Sequence, residues 1–230
     1  MLRARRSRNV LYGDRTMTDV SFDPVSVLFF IVSLFPAMIL HEVSHGVVAD
    51  RFGDVTPRLH GRLTLRPTRH IDPFGSLVLP GLLLLPHLFG RPITPVFGYA
   101  KPMPLNPSYL KKPDRQLPMI MLAGPVTNLA LAIVTAVIYR FTAGVAQPLE
   151  QFLLTFMLTN LLVGVLHVMP IPPLDGAKAL AIFLPPRARD VFERMEPYGA
   201  LFMLLIFFIF PGPVLGIALA IRDALVDLLV

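Results

Sequence analysis

The run PVSVLFFIVSLFPAMIL (residues 24–40) passes without a single charge into HEVSHG (residues 41–46). On a helix, His41 and His45 stand one turn apart and point the same way, which suits a shared metal ion. Glu42, beside them, is placed to act as a general base toward water. In a soluble protein such a pattern suggests a zinc hydrolase. Here the flanking sequence is almost wholly apolar, so the chemistry is expected inside a membrane.

The rest of the chain agrees with a membrane setting. Of 230 residues, 54% are hydrophobic and 16% charged, where a soluble domain carries about a quarter charged residues. The mean hydropathy is +0.63. Several apolar runs approach the roughly 20 residues that cross a hydrocarbon core. The expected fold is an all-α polytopic membrane protein of about five to six membrane helices, with a re-entrant or β-hairpin-like loop. A net charge of +6 and Arg-rich flanks fit loops facing anionic lipid. No aromatic-interleaved basic stripe argues for nucleic acid, which is excluded as a partner. The absence of cysteine removes disulfides and thiolate ligands, leaving His and carboxylate to hold any zinc. The 24 prolines and 15 glycines point to broken helices around a hydrated cavity.

Residues 1–22 are polar and Arg-rich (Arg3, Arg5, Arg6, Arg8, Arg15) and form an arm that is either disordered or not native, Met17 being an alternative start. Residues 23–230 read as a single domain with a catalytic core near 25–185. The first span covers Val25–Ala49, about 37 Å of helix, and a basic segment follows over 51–69. The early arginines and this later segment pull membrane orientation in opposite directions. Phe74–Phe89 is a shorter apolar stretch interrupted by Pro80, Gly81 and Pro86. Residues 90–115 are too rich in Pro and Gly for a helix and read as extended or re-entrant chain. Spans follow at Leu117–Tyr139 and Phe152–Ile171, then a short helix at Leu174–Leu184. Glu196–Phe210 and Val214–Val230 make one or two last membrane helices.

A catalytic zinc takes three protein ligands and leaves one position open. Asp175 is the candidate third ligand: it lies at membrane depth among apolar residues, in the first turn of a helix that follows a proline cluster. A plain helix cap is the competing reading of Asp175. Asn128 reads alone as an interhelical hydrogen bond, and Gly124-Pro125 as a kink. His60, His70 and His87 fall in loop or interface segments and are not expected to be ligands.

HEVSH (41–45), AGPVTN (123–128) and PIPPLDG (170–176) together resemble the three signature regions of the site-2 proteases, a family of intramembrane zinc metalloproteases. GRLTLRP (61–67), HIDPFGSLVLP (70–80) and GYAKPMPLNP (98–107) further resemble a compact prokaryotic branch without PDZ or CBS domains. The resemblance implies Zn2+ held by His41, His45 and Asp175, and Glu42 as general base. It implies a supporting role for Asn128 near the site and a substrate-receiving loop at Gly98–Asn106. The expected partners are transmembrane protein substrates and the bilayer, with a multi-pass location in a prokaryotic inner or plasma membrane. One departure stands out: the family's Asn three residues before the first proline of the last motif is His167 here. His167 either replaces that Asn as a donor to substrate or the oxyanion, or binds zinc as a fourth ligand.

The expected activity is hydrolysis of peptide bonds in or near transmembrane segments. The rival is a non-hydrolytic metal-binding membrane protein, a pseudoprotease or a metal transporter. Transporters line their paths with several acids and histidines; this chain has few beyond the proposed site.

Overall fold

Helix α1 spans Pro24–Phe52, 29 residues carrying Pro36 inside it. The computed structural model describes residues 24–88, 98–142, 144–172, 174–195, 198–199, 201 and 211–229. The basic arm, residues 89–97 and most of the expected span 196–210 lie outside the described residues. Beyond α1 come the single turn α2 (Thr56–Leu59), α3 (Leu79–Leu88), α4 (Pro113–Thr142) and α5 (Gln147–Val168). Short α6 (Asp175–Ala181), α7 (Pro186–Met195) and α8 (Pro211–Leu229) complete the described elements. All regular structure among the described residues is helical.

Helices α1, α4 and α5 are long and apolar enough to cross a membrane by length and composition. A turn at Gly144, where φ is +83°, connects α4 to α5 and suits the residue without a Cβ. Lipid tails offer no hydrophobic reward for helix pairing, so small residues and buried hydrogen bonds must hold the bundle. Ala132 and Ala136 of α4 accordingly receive Met157 and Leu161 of α5. Ile221 and Leu225 of α8 pack on the same seam. Higher up, Gly164 lets α5 approach α4 so closely that a Cβ there would sit 3.3 Å from Pro125 O. Helix α1 lies against both.

Chain entering α3 differs from the expected broken stretch. Pro73–Val78 forms a wide π-type turn, capped by Asp72 Oδ1 accepting Gly75 N–H at 2.7 Å, and continues as helix to Leu88. In that wide pattern the Gly75 carbonyl would bond the nitrogen of residue 80, which is proline and has no hydrogen. Gly75 O accepts Tyr99 N–H instead, at 3.0 Å. The proline therefore does not stop the helix; it releases a carbonyl to a distant segment.

That segment, residues 98–106, is extended and belongs to no strand among the described residues. Side chains and carbonyls of the preceding loops hold it. Ser76 Oγ donates to Tyr99 O at 2.8 Å, Lys101 N–H to His70 O at 2.8 Å, and Arg62 Nη2 to Lys101 O at 2.6 Å. Buried Asp54 accepts Asn106 N–H at 2.7 Å and Thr56 N–H at 3.0 Å. A buried carboxylate without a cationic partner among the described residues is thus satisfied by backbone donors.

Candidate metal centre

Helix α1 brings His41 and His45 to its buried face, where their ring centroids lie 4.8 Å apart. The face they meet on α4 carries Gly124. A Cβ at that position would collide with Nε2 of both imidazoles. The room between the rings exists only because residue 124 has no side chain.

Asp175 enters from the first turn of α6. Its Oδ2 lies 2.8 Å from His41 Nε2 and 3.3 Å from His45 Nε2. It reaches that place because Gly176 packs against the last turn of α5, where a Cβ would strike the carbonyls of Val168 and Met169. Leu174 holds the cap position and Asp175 is the first helical residue, with its carboxylate turned to the histidines.

The hydrogen bonds of the rings decide what those short distances mean. Asn128 donates its amide hydrogens to Ala37 O at 3.1 Å and Asn160 Oδ1 at 2.9 Å. Its Oδ1 is therefore an acceptor, and His41 Nδ1–H donates to it at 2.6 Å. His45 Nδ1 lies 2.6 Å from the Ile120 carbonyl, which only accepts. In its neutral form each ring would carry the hydrogen on Nδ1 and a lone pair on Nε2. Two lone pairs then face one carboxylate oxygen, an arrangement that repels unless a cation lies among them. His45 Nε2 is indeed buried without a hydrogen-bond partner among the described residues. The donors fit zinc: two imidazoles with an outer acceptor on each, and one carboxylate.

His167, near the end of α5, comes to the same place. Its ring centroid is 4.4 Å from that of His41. Ring nitrogens of His41 and His167 and a carboxylate oxygen of Asp175 all lie within 4.8 Å of one another. Two overlapping donor sets therefore share His41 and Asp175, one completed by His45 and the other by His167. Glu42 lies beside them, with the Met103 backbone N–H near its carboxylate, while Oε2 is buried without a hydrogen-bond partner among the described residues.

All six residues singled out from sequence meet here. His60 instead turns its Nδ1 to Thr56 O at 2.9 Å on the exposed surface. His70 is buried in the loop, donating from Nε2 to Thr64 O at 2.7 Å. The His87 side chain lies outside the described residues. Sequence reasoning missed Asn160, which is fully buried and bonds to Asn128 from α5. The only cue was a lone amide in an apolar span. It also missed the Ile120 carbonyl, since backbone acceptors leave no residue signature.

Comparison with known proteins gives related chains. A Bacillus subtilis protein named as a zinc metalloprotease, YwhC, is 31% identical over 193 residues, covering 80% of this chain and 82% of the relative. Rip2 of Mycobacterium tuberculosis, also named as a zinc metalloprotease, is 33% identical over 175 residues, 74% of this chain. The chain spans 63% of that relative's length. Rip2 of Mycolicibacterium smegmatis is 30% identical over 200 residues, 83% of this chain and 70% of its own. No family model matches the chain, and no solved structure matches it significantly. Zinc is the ion these relatives' names carry, and the donor set fits it. With matched identity across four-fifths of its length and of YwhC, the chain belongs to the site-2 protease family of zinc metalloproteases.

Proposed function

We propose that this protein is an intramembrane zinc metalloprotease that hydrolyses peptide bonds in or near transmembrane segments of membrane-protein substrates. The observation that carries the reading is the convergence of two imidazole Nε2 atoms on Asp175 Oδ2, with Glu42 Oε2 beside them and without a hydrogen-bond partner among the described residues. The bundle around them has helices of membrane-crossing length. His41, His45 and Asp175 would hold the ion. Zinc so held supplies Lewis acidity, activating water and polarising a carbonyl at neutral pH.

The chain's own residues do the remainder. Glu42 Oε2 takes the proton of the attacking water and later delivers it to the leaving amine nitrogen. The Met103 backbone N–H lies beside that carboxylate and would help to orient the base. Asn128 holds His41 in place; with its amide hydrogens engaged, its support goes to the ligand rather than to a substrate oxygen. The segment 98–106 is the edge on which an unwound substrate would lie. The finer architecture goes with this reading: five to six membrane helices, a re-entrant loop, and a multi-pass place in a prokaryotic cell membrane.

The test is a Glu42→Gln variant co-expressed with a model transmembrane substrate. Cleavage is expected to fall by about a hundredfold or more, with zinc binding retained. Cleavage at the wild-type rate refutes a proteolytic role for this site and leaves the transporter or pseudoprotease reading.

A further inference from the structure

We infer that His167 is a fourth protein donor to the same metal, so that the resting centre is closed by protein and substrate enters by displacing an imidazole. The inference rests on the metal site proposed above and concerns a residue that the three-donor reading does not need. Its first support is position. A His167 ring nitrogen is within 4.8 Å of both a His41 nitrogen and an Asp175 oxygen, and the His41 and His167 rings are tilted 56° to each other at 4.4 Å. A structural histidine in an apolar helix would turn its polar atoms to a backbone or side-chain partner on both sides.

The second support is the hydrogen bond at its other nitrogen. His167 Nδ1 lies 2.9 Å from Val163 O, the carbonyl one turn back in α5. A carbonyl only accepts, so Nδ1 carries the hydrogen and Nε2 is left with a lone pair. His167 thus shows the arrangement found at His41 and His45: an acceptor engages Nδ1–H and the opposite nitrogen remains a donor for a cation. Its outer acceptor is weaker in one respect. His41 leans on an amide from another helix and His45 on a carbonyl of α4, whereas His167 leans only on its own helix. It sits one residue before the end of α5, where Met169 already leaves helical geometry. The two histidines of α1 are thus braced from another helix, and His167 is braced only within its own. That asymmetry makes His167 the ligand that leaves.

The experiment uses the full chain in detergent, stripped of metal and titrated with zinc against a chelator, and separately with Co2+ read by its visible absorption. His41→Ala is expected to lose tight binding. His167→Ala is expected to weaken zinc about ten- to a hundredfold, at least the effect of losing an outer-shell partner, and to shift the cobalt bands. Added imidazole is expected to restore the wild-type cobalt spectrum in His167→Ala. His167→Asn, which keeps a polar side chain of similar bulk, should show the same loss if the alanine variant folds poorly. Unchanged affinity and spectrum in both His167 variants, with His41→Ala defective, overturns the fourth donor and leaves the protease reading intact. Unchanged affinity in His41→Ala overturns the metal site itself.

Discussion

Gly124 shows how a single atom count sets the chemistry of this site. Alanine is a better helix former than glycine by about 1 kcal/mol, so Gly124→Ala should not harm α4 as a helix. Its methyl group would nonetheless occupy the space between the two imidazole Nε2 atoms. Zinc affinity is expected to drop about a hundredfold or more while circular dichroism stays unchanged, as chelator competition would show. Asn160 acts at one further remove, through Asn128 to His41. Asn160→Leu should weaken zinc about tenfold or more, whereas leucine at half-buried Thr142, a residue outside this chain of bonds, should not. The histidine pair and Glu42 were legible because three residues within one turn carry their own geometry. Asp175, 134 residues from His41, was legible only through its proline-framed surroundings. Asn160 was not, because a lone amide in an apolar helix names no partner until the facing helix is in place.

At the level of elements, the loop between α1 and α3 is organised by groups that are buried yet lie outside the long helices. Burial pushes the His70 imidazole below its ordinary value of 6.5, outweighing the Thr64 carbonyl that favours the charged ring. A depressed histidine stabilises the fold fully above the unfolded value, and that contribution is lost as pH falls. The thermal midpoint should therefore decline from about pH 6.5 downward, and His70→Gln should flatten that part of the profile. The spans α1, α4 and α5 were legible as apolar runs; α1 and α4 run past their expected ends, whereas α5 begins earlier, at Gln147, and stops at Val168, short of Ile171. The π-type entry to α3 was not. Pro80 reads locally as a breaker, and only the docking of Tyr99 reveals that its missing hydrogen has a use.

Across the whole molecule, the candidate donors come from α1, α5 and α6 around the Gly124 face of α4, so ion binding there would be linked to bundle stability. An ion present at about a hundred times its dissociation constant contributes about 2.7 kcal/mol to the folded state. Chelation should then lower the thermal midpoint by roughly 5–10 °C, and the Asp175→Ala variant should show little further fall on chelation. The hydrophobic seam of Ala132, Ala136, Met157 and Leu161 does not touch the ion and should keep α4 and α5 paired in the metal-free protein.

The short run from Tyr99 to Met103 is pinned at successive residues. Tyr99 is tied to the carbonyl that Pro80 sets free, and Lys101 is held on both sides, by His70 O and by Arg62. Met103, beside Glu42, follows two residues later. The loop is therefore a rigid rail: what fixes its position is Lys101 in the middle, and the backbone beside the general base inherits that fixed position.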